Sequence, residues 1–365
     1  MQSLLVRAVA VFFAIASIAA GAAGAADAQK IGNVDTSQWR GFNLLEKFTL
    51  NQSAPFKEDD FRWIAELGFN FVRLPMDYRC YVEKDDWLKF KEPVLKEIDE
   101  AIALGEKYKI HVCLNLHRAP GFCINPPAEK TDLWKDEEAL NAFIAHWVMF
   151  AKRYKHIPSE RLSFNLLNEP MRNTRENYIK VFCRTIEAIQ KEDPNRLVMV
   201  DGNNVGSNAI PEFLKYANVI QATRGYHPGT ISHYKASWAK GSDTWPEPVW
   251  PPTARVPSLP LPPGTSPDQT LIDYLKPWLE ISAKGETVFV GEWGCYNKTP
   301  HPVALAWMKS WLEQWKKARF GWALWHFRGS FGILDSDRKD IQYEDWHGHK
   351  LDREMLKLLQ QYQKY

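Results

Sequence analysis

The sequence has no excess of charge of either sign. Its 365 residues include 46 lysines and arginines against 44 aspartates and glutamates, which leaves a net charge of +2. Proteins that bind nucleic acid or an anionic membrane surface through their overall charge carry a larger positive balance. The composition therefore indicates neither of these partners.

Cysteine is also scarce. The chain contains Cys80, Cys113, Cys123, Cys183 and Cys295, with no CxxC pair and no Cys/His spacing of the kind that binds zinc. We therefore expect no metal site. The odd count leaves at least one free thiol in a monomer, and an oxidising compartment permits disulfides. Cys80 and Cys123 fall in predicted loops on one face of the fold and are the one pair that we suggest.

Long apolar runs are confined to the N-terminus. Arg7 precedes an apolar run over residues 8–20, and the small residues that follow end in Ala26-Asp27-Ala28. This order predicts a secretory signal peptide over residues 1–28 and a secreted mature chain, extracellular or periplasmic, from 29 to 365. The run is too short and too rich in alanine for a good transmembrane helix, and we expect no membrane contact after cleavage. An uncleaved N-terminal anchor is the alternative.

Short apolar runs then alternate with longer segments of helical period. This alternation predicts repeated βα units around a parallel sheet, and eight such units give a single-domain (β/α)₈ TIM barrel. A doubly wound open sheet is the alternative, but the first strand ends in Asn43-Leu44-Leu45-Glu46 and carries no glycine-rich phosphate loop. The predicted strands are 39–44, 69–75, 111–117, 162–168, 197–201, 219–226, 287–292 and 321–327.

A proline-rich stretch over residues 246–267 interrupts this pattern. It contains Trp250 and follows Trp238 and Trp245. A linker between domains is one interpretation. Because the next helix and strand continue the same barrel, we favour a long loop after the sixth strand. Such a loop either forms a wall of the active-site cleft or is a rigid surface excursion.

Reactive residue types collect where the predicted strands end. In a barrel, catalytic side chains gather at the carboxyl ends of the strands, so these residues are expected to face one another. Two carboxylates on opposite strands suit a retaining glycosidase, in which one attacks the anomeric carbon and the other moves protons. The strand-end residues are Arg73, His117, Asn168, Glu169, Tyr226, Glu292 and Trp325.

Five short motifs make the pattern more specific. They are VRLP at 72–75, NLH at 115–117, LLNEP at 166–170, FVGEWG at 289–294 and Trp325. Together they resemble glycoside hydrolase family 5, the cellulase family, within the large clan of (β/α)₈ retaining glycosidases. The resemblance covers essentially the whole mature chain, with the motifs in the expected order.

This resemblance implies a role for each strand-end residue. Glu169 would be the general acid and base, and Glu292 the nucleophile, kept ionised by Arg73. The residues expected to bind substrate or to support the two glutamates are Arg73, His117, Asn168, Arg224, Tyr226 and Trp325. Within that set, Tyr226 resembles the tyrosine that forms a hydrogen bond with the nucleophile. Asn168 resembles the residue that forms a hydrogen bond with the sugar 2-hydroxyl. Trp325 would form the floor beneath the sugar.

One position departs from the family pattern. The family usually has His-x-Tyr at the end of the sixth strand, whereas this chain has Arg224-Gly225-Tyr226. Arginine stays charged and planar, so Arg224 is expected to donate to a sugar hydroxyl or to Glu292. In an alternative register His227 takes the histidine's role, but the tyrosine two residues later is then missing. We leave His227 and His326 unassigned.

The sequence thus predicts a monomeric endo-β-glucanase that hydrolyses β-1,4-linked glucan with retention and needs no cofactor. A β-mannanase or another β-glycanase or exo-glucosidase is the alternative within the same fold. A carbohydrate-binding protein that has lost catalysis is the alternative from another class, and Arg224 is the feature in its favour.

Overall fold

A computed structural model describes residues 30–31, 34–84, 86–251, 266 and 268–364. The predicted signal peptide at 1–28 lies outside the described residues. So do residues 252–265 and 267 of the proline-rich stretch.

Eight parallel strands form a closed barrel. Each strand pairs with the next along the chain, and Trp322 and Leu324 of the last strand pair with Arg40 and Phe42 of the first. This closure confirms the predicted (β/α)₈ barrel, and the open doubly wound sheet is wrong. The strands are β1 (Arg40–Asn43), β2 (Phe71–Asp77), β3 (His111–Ala119), β4 (Leu162–Asn165), β5 (Leu197–Asp201), β6 (Val219–Gly225), β7 (Thr287–Trp293) and β8 (Gly321–Leu324).

Helices cover the outside of the barrel. They are α1 (Glu58–Glu66), α2 (Glu92–Tyr108), α3 (Glu137–Tyr154), α4 (Arg175–Glu192), α5 (Gln269–Ser282), α6 (His301–Ala318) and α7 (Arg353–Gln360). Between β5 and β6 the chain forms only the short helix Asn203–Gly206 and a 3₁₀ helix, Pro211–Lys215, where the sequence predicts a short helix. Within the part of the chain that the structure describes, no helix is long and apolar enough to cross a membrane.

Short elements decorate the loops. Further 3₁₀ turns lie at Thr36–Gln38, Leu50–Gln52 and Tyr78–Cys80, and a four-residue helix at Gly229–Ser232. Small antiparallel pairs form between Lys30–Ile31 and Val34–Asp35, between Val82–Glu83 and Asp86–Phe90, and between Glu344–Trp346 and His349–Leu351. The strand Phe122–Cys123 pairs with the end of β3.

The barrel interior changes from apolar to polar towards the carboxyl ends of the strands. Because side chains alternate between the two faces of a strand, residues two apart point the same way. Phe71, Cys113, Met199 and Ala222 belong to an apolar interior cluster. Two residues further along each strand stand Arg73, Asn115, Asp201 and Arg224, all buried. The sequence therefore places a layer of polar side chains next to this apolar interior cluster, on the side of the carboxyl ends of the strands.

Two strands end earlier than the sequence predicts. β4 ends at Asn165 rather than at 168, and β8 ends at Leu324 rather than at 327. After β4 the chain turns, and Glu169 adopts a left-handed backbone with φ of +48°. Glu169 and Trp325 therefore lie on the loops that follow β4 and β8, outside the hydrogen-bonded part of the barrel sheet.

All five cysteines are free thiols, so the suggested pairing of Cys80 with Cys123 is wrong. Each of these two thiols instead faces a nearby backbone carbonyl. The Cys80 sulfur lies 3.7 Å from the Lys47 oxygen, and the Cys123 sulfur lies 3.7 Å from the His117 oxygen. Both side chains are buried, Cys80 in the turn Tyr78–Cys80 and Cys123 in the short strand Phe122–Cys123.

Candidate active site

Glu292 is held at the end of β7 by a buried arginine. Arg73 Nη1 donates to Glu292 Oε1 at 2.5 Å and to Asn43 Oδ1 at 3.0 Å. The same guanidinium donates through Nε to Asn165 Oδ1 and through Nη2 to Asn168 Oδ1, each at 2.8 Å. Arg73 is completely buried and its donors are engaged. Its place behind Glu292 favours a role through that carboxylate over direct contact with substrate.

The second oxygen of Glu292 meets Tyr226. The Tyr226 hydroxyl donates to Glu292 Oε2 at 3.3 Å, as the resemblance leads us to expect. Burial, followed by the negative charge of Glu292, raises the pKa of the Tyr226 hydroxyl well above its ordinary value. Tyr226 therefore stays protonated and remains a donor to Glu292 throughout the neutral pH range.

Glu169 contacts the second buried arginine of the site. Its Oε1 accepts a hydrogen bond from Arg224 Nε at 3.1 Å, and its backbone N–H donates to Asp201 Oδ2 at 2.9 Å. Burial, followed by the negative charge of Glu292, raises the pKa of Glu169 to about 7. A carboxyl group with this pKa can both give and take a proton near neutrality, which a general acid and base requires.

Asn168, His117 and Trp325 form one wall beside the two glutamates. Asn168 Nδ2 donates to His117 Nε2 at 3.4 Å, and the His117 ring stacks on Trp325 with centroids 5.7 Å apart. Phe48 packs its edge against both rings. Burial and then the charge of Arg73 hold the pKa of His117 well below its usual range, so its ring is neutral. Trp325 remains partly exposed and presents an apolar surface.

Arg224 lies between the two glutamates. Besides Glu169, its guanidinium reaches Glu292 Oε1 at 3.5 Å and Asn168 Oδ1 at 2.9 Å, and Nη2 forms a very short bond to Asp201 Oδ2. Only 2% of Arg224 is exposed. Its donors thus point to protein acceptors, which leaves the sugar contact predicted from sequence without support in this arrangement.

Sequence reasoning placed Asp201 at the end of β5 but assigned it no function. The structure shows it fully buried, with Oδ2 on Arg224 and on the Glu169 backbone, and with Oδ1 accepting from Asn165 Nδ2 at 3.0 Å. Asn165 and Asn43, which bond Arg73, were also missed. The signal was present in the alternation of each strand, because these polar residues stand two positions after an inward-facing one.

The tryptophans of the sixth loop have different surroundings. Trp250 is buried and donates from Nε1 to Ser310 Oγ of α6 at 3.0 Å, which makes it a packing residue. Trp238 is 59% exposed and packs against Tyr296 at 4.9 Å. Phe331 lies 6.3 Å from Trp238 and 6.2 Å from Tyr226. An aromatic row therefore runs from Tyr226, which bonds Glu292, to the exposed indole of Trp238.

Residues that could hold a metal are not found together. Among the described residues, no cluster of three or more histidine, cysteine, aspartate or glutamate side chains has the arrangement of a metal site. The acidic side chains Glu169, Glu292 and Asp201 instead face the two guanidinium groups.

The arrangement joins two carboxyl groups of different character. Glu292 accepts hydrogen bonds from a guanidinium and from a phenol. Glu169 holds a proton up to about pH 7. Two carboxyl groups with such different hydrogen-bond partners, on opposite sides of a barrel mouth, can supply a nucleophile and an acid to the same bond.

A family model, a curated relative and solved structures all relate this chain to glycoside hydrolases. The family model for cellulase (glycosyl hydrolase family 5) matches residues 26–330. Endoglucanase C of Acetivibrio thermocellus is 26% identical over 313 residues, which span 79% of this chain and 88% of that protein. A solved glycoside hydrolase is 39% identical with a TM-score of 0.82, over 89% of this chain and 99% of that structure.

A further solved structure shares the fold. Endoglucanase Cel5A from Thermotoga maritima is 24% identical with a TM-score of 0.72, over 89% of this chain and 97% of that one. The family match covers most of the chain and includes the strand ends that carry Glu169 and Glu292. The protein belongs to glycosyl hydrolase family 5, the cellulase family, and is a glycosyl hydrolase.

Proposed function

We propose that the protein is a retaining endo-β-glucanase that cleaves β-1,4-linked glucan by double displacement. The observation that carries this proposal is that two carboxyl groups contact the same guanidinium group, that of Arg224. Glu169 and Glu292 come from opposite sides of the barrel, and both approach Arg224. Because both carboxyl groups contact the same guanidinium, they stand near enough to act on one glycosidic bond, as the pair of carboxyl groups of a retaining enzyme does.

In the first step, Glu292 attacks the anomeric carbon while Glu169 gives its proton to the departing glycosidic oxygen. Oε2 of Glu292 is the attacking atom, because Oε1 faces both guanidinium groups, whereas Oε2 accepts only a longer hydrogen bond from Tyr226. The glycosidic bond breaks and an ester bond forms between Glu292 and the sugar. In the second step, ionised Glu169 takes a proton from water, and the hydroxide oxygen displaces Glu292 from the same carbon.

The relatives support a glucan substrate. The matching proteins include endoglucanases, and Thermotoga maritima Cel5A has been crystallised with cellobiose and with mannotriose. Mannan oligosaccharides therefore belong in the test beside cello-oligosaccharides. We further propose that the protein acts as a monomer and is secreted; the signal peptide predicted at 1–28 supports its secretion. N-terminal sequencing of the exported protein tests this, with Gln29 as the expected first residue.

Proton NMR of the mature protein acting on cellopentaose tests the mechanism and the substrate together. We expect the β-anomer of the new reducing end to appear first and then to mutarotate. Initial α-anomer would overturn retention. Turnover of mannopentaose in the absence of cellopentaose turnover would reassign the substrate, and no turnover on either, or on xylan and β-1,3-glucan oligomers, would overturn the proposed activity.

The exposed indole of Trp238 is expected to bind a sugar ring of longer substrates. Sugar rings present C–H faces that stack on indole, so Trp238→Ala should raise KM for cellopentaose about tenfold, equivalent to about 1.4 kcal/mol. A short aryl cellobioside that does not reach this indole should keep its KM. The matched control is Trp250→Phe in the same loop, which should lower the melting temperature without changing KM. Equal KM values for wild type and Trp238→Ala would refute the role.

A further inference from the structure

Position 224 holds a cation that three carboxylates share. Arg224 Nε bonds Glu169 Oε1 at 3.1 Å, and Nη2 bonds Asp201 Oδ2 and lies 3.5 Å from Glu292 Oε1. An arginine with three acidic neighbours in a water-poor site is fixed in place, because its planar guanidinium matches several acceptors at once. Its position is therefore set by Asp201 at least as strongly as by the two glutamates.

The surrounding backbone makes room for this arginine. A Cβ on Gly291 would stand 3.0 Å from Arg224 Nη1, and a Cβ on Gly206, which has φ of +74°, would stand 2.9 Å from Arg224 Cγ. The pairing of β6 with β7 shifts by one residue between Thr223 and Arg224, so that Arg224 lies opposite Glu292. Irregular pairing of this kind re-aims side chains next to active sites. Three separate features of the chain thus accommodate one side chain.

Asp201 connects this cation to the backbone of Glu169. Its Oδ2 accepts a hydrogen bond from the Glu169 backbone N–H at 2.9 Å. Glu169 has a left-handed backbone φ of +48°, which residues other than glycine rarely adopt. Such a conformation persists where surrounding contacts hold it. The Asp201 carboxylate therefore fixes both the direction of the Glu169 side chain and the arginine that contacts its tip.

The charges of the cluster balance at two stages of the proposed reaction. Arg73 and Arg224 oppose Asp201, Glu169 and Glu292. The cluster is neutral when Glu169 holds its proton and Glu292 is ionised. It is neutral again when Glu292 is esterified and Glu169 is ionised. Arg224 lies between the two glutamates and is paired with a carboxylate at both stages, because the negative charge moves from Glu292 to Glu169.

We propose that Asp201 and Arg224 form a positioning pair, in which Asp201 holds Arg224 as a permanent positive charge between the two catalytic glutamates and fixes the backbone of Glu169. The proposal rests on the retaining mechanism proposed above. Neither residue is expected to touch the sugar. Their effect passes through Glu169, which they orient for proton transfer, and through the electrostatic field that sets when Glu169 gives up its proton.

Other groups face the pair from every side of the site. Burial holds the pKa of His117 well below its usual range and lowers that of His233 to about 4, so neither ring gains charge near neutral pH. Burial also raises the pKa of the Tyr274 hydroxyl of α5, which therefore stays neutral. The groups that interact with Glu169 or Arg224 are His117, Asp201, Tyr226, Tyr274 and Glu292, while Arg73 and His233 act on Glu292.

The test measures kcat/KM against pH for Asp201→Asn and Arg224→Gln on two substrates. The negative charge of Asp201 raises the pKa of Glu169, and the positive charge of Arg224 lowers it. The alkaline limb of the profile should therefore move down by about half a pH unit or more in Asp201→Asn and up in Arg224→Gln. Arg224→Lys, which keeps the charge but loses the planar fork, should keep the limb near that of the wild type.

The second substrate separates positioning from general damage. On cellopentaose, Asp201→Asn and Arg224→Gln should lose about 10²-fold in kcat/KM, within the range of a misplaced general acid. On 2,4-dinitrophenyl β-cellobioside the loss should be at least about tenfold smaller, because this leaving group departs without protonation. The double variant Asp201→Asn/Arg224→Gln removes one charge of each sign. It replaces Arg224→Gln in the test if that single variant does not fold. Its loss should be no larger than that of the single variants.

Asp193→Asn is the matched control. Asp193 pairs with Arg196 at 2.8 Å just before β5, so it forms another buried ion pair, at the opposite end of the strand that carries Asp201. It should lower the melting temperature and leave the pH profile unchanged. If Asp201→Asn or the double variant behaves in the same way, with an unchanged alkaline limb and equal losses on both substrates, the proposed pair is only structural. A wild type inactive on both substrates would instead refute the proposed function.

Discussion

Glu292→Gln should lower kcat/KM on cellopentaose by about 10⁵-fold, which is the scale of loss seen when a covalent nucleophile is removed. The amide keeps the shape of the side chain and an acceptor for Arg73, which donates to Oε1 at 2.5 Å. It has no negative charge and forms no stable glycosyl ester. Initial rates of reducing-end release give the loss, and circular dichroism verifies that the variant is folded.

Glu286→Gln is the matched control for this loss. Glu286 stands just before β7, is 3% exposed, and accepts a hydrogen bond from Gln221 Nε2 at 2.9 Å. Replacing it removes a buried carboxyl from the opposite end of the strand that carries Glu292. We expect activity within a few-fold of the wild type, because Glu286 faces no substrate. A comparable loss in both variants would attribute the effect of Glu292→Gln to damage of β7.

Azide distinguishes the roles of the two glutamates. In Glu292→Gly, azide can enter where the carboxylate stood and displace the leaving group of an activated aryl cellobioside once, which should give α-cellobiosyl azide. In Glu169→Gly, Glu292 still forms its ester and azide then replaces water, which should give β-cellobiosyl azide. NMR of the two products reads the configuration directly. The opposite pairing of products with variants would exchange the assigned roles.

The barrel and its reactive strand ends were within reach of sequence reasoning because they depend on local pattern. The alternation of strand and helix periods gave β5 its observed bounds, Leu197–Asp201, and placed Glu292 at the end of β7. The family motifs then separated Glu169 and Glu292 from the other acidic residues. The ends of β4 and β8 were wrong by three residues, since a strand-like composition continues past the point where the ladder stops.

The network behind the glutamates could not be predicted because it depends on register between distant strands. Asp201 meets Arg224 only because β5 and β6 pair with Asp201 opposite Ala222, two residues before Arg224. The shift between β6 and β7 then turns Arg224 towards Glu292. Neither the register of β5 with β6 nor the shift between β6 and β7 leaves a mark in composition or periodicity. The sequence therefore identified Arg224 as a departure from its family, and the structure supplied its partners.

The same limit applies to the cysteines and the sixth loop. Cys80 and Cys123 belong to loops on one face, but loop position does not determine where a thiol points, and each faces a carbonyl instead. Trp238 and Trp250 share one loop and one residue type, yet one is exposed and the other buried. Burial of a loop side chain depends on what packs against it, which for Trp250 is α6, a distant part of the chain.

Glu169→Gln should affect the two substrate types very differently. On cellopentaose, kcat/KM should fall by about 10³-fold, because the amide cannot protonate the departing oxygen. On 2,4-dinitrophenyl β-cellobioside the first step should remain close to the wild-type rate. The second step should slow, because no base takes the proton from water. The glycosyl ester on Glu292 should therefore accumulate, and mass spectrometry of the quenched protein should detect it. Equal losses on both substrates, with no accumulated ester, would remove Glu169 from the acid/base role.

The pH profile gives an independent test of the same residue. Burial and the charge of Glu292 raise the pKa of Glu169 to about 7, and the reaction needs the protonated form, so kcat/KM of the wild type on cellopentaose should fall as the pH rises through about 7. This alkaline limb should disappear in Glu169→Gln, whose side chain does not titrate. Burial also raises the pKa of Glu286 to about 7, which makes Glu286→Gln the matched control. Its profile should keep the limb, and a limb lost in Glu286→Gln but kept in Glu169→Gln would assign the titration to the opposite end of the barrel.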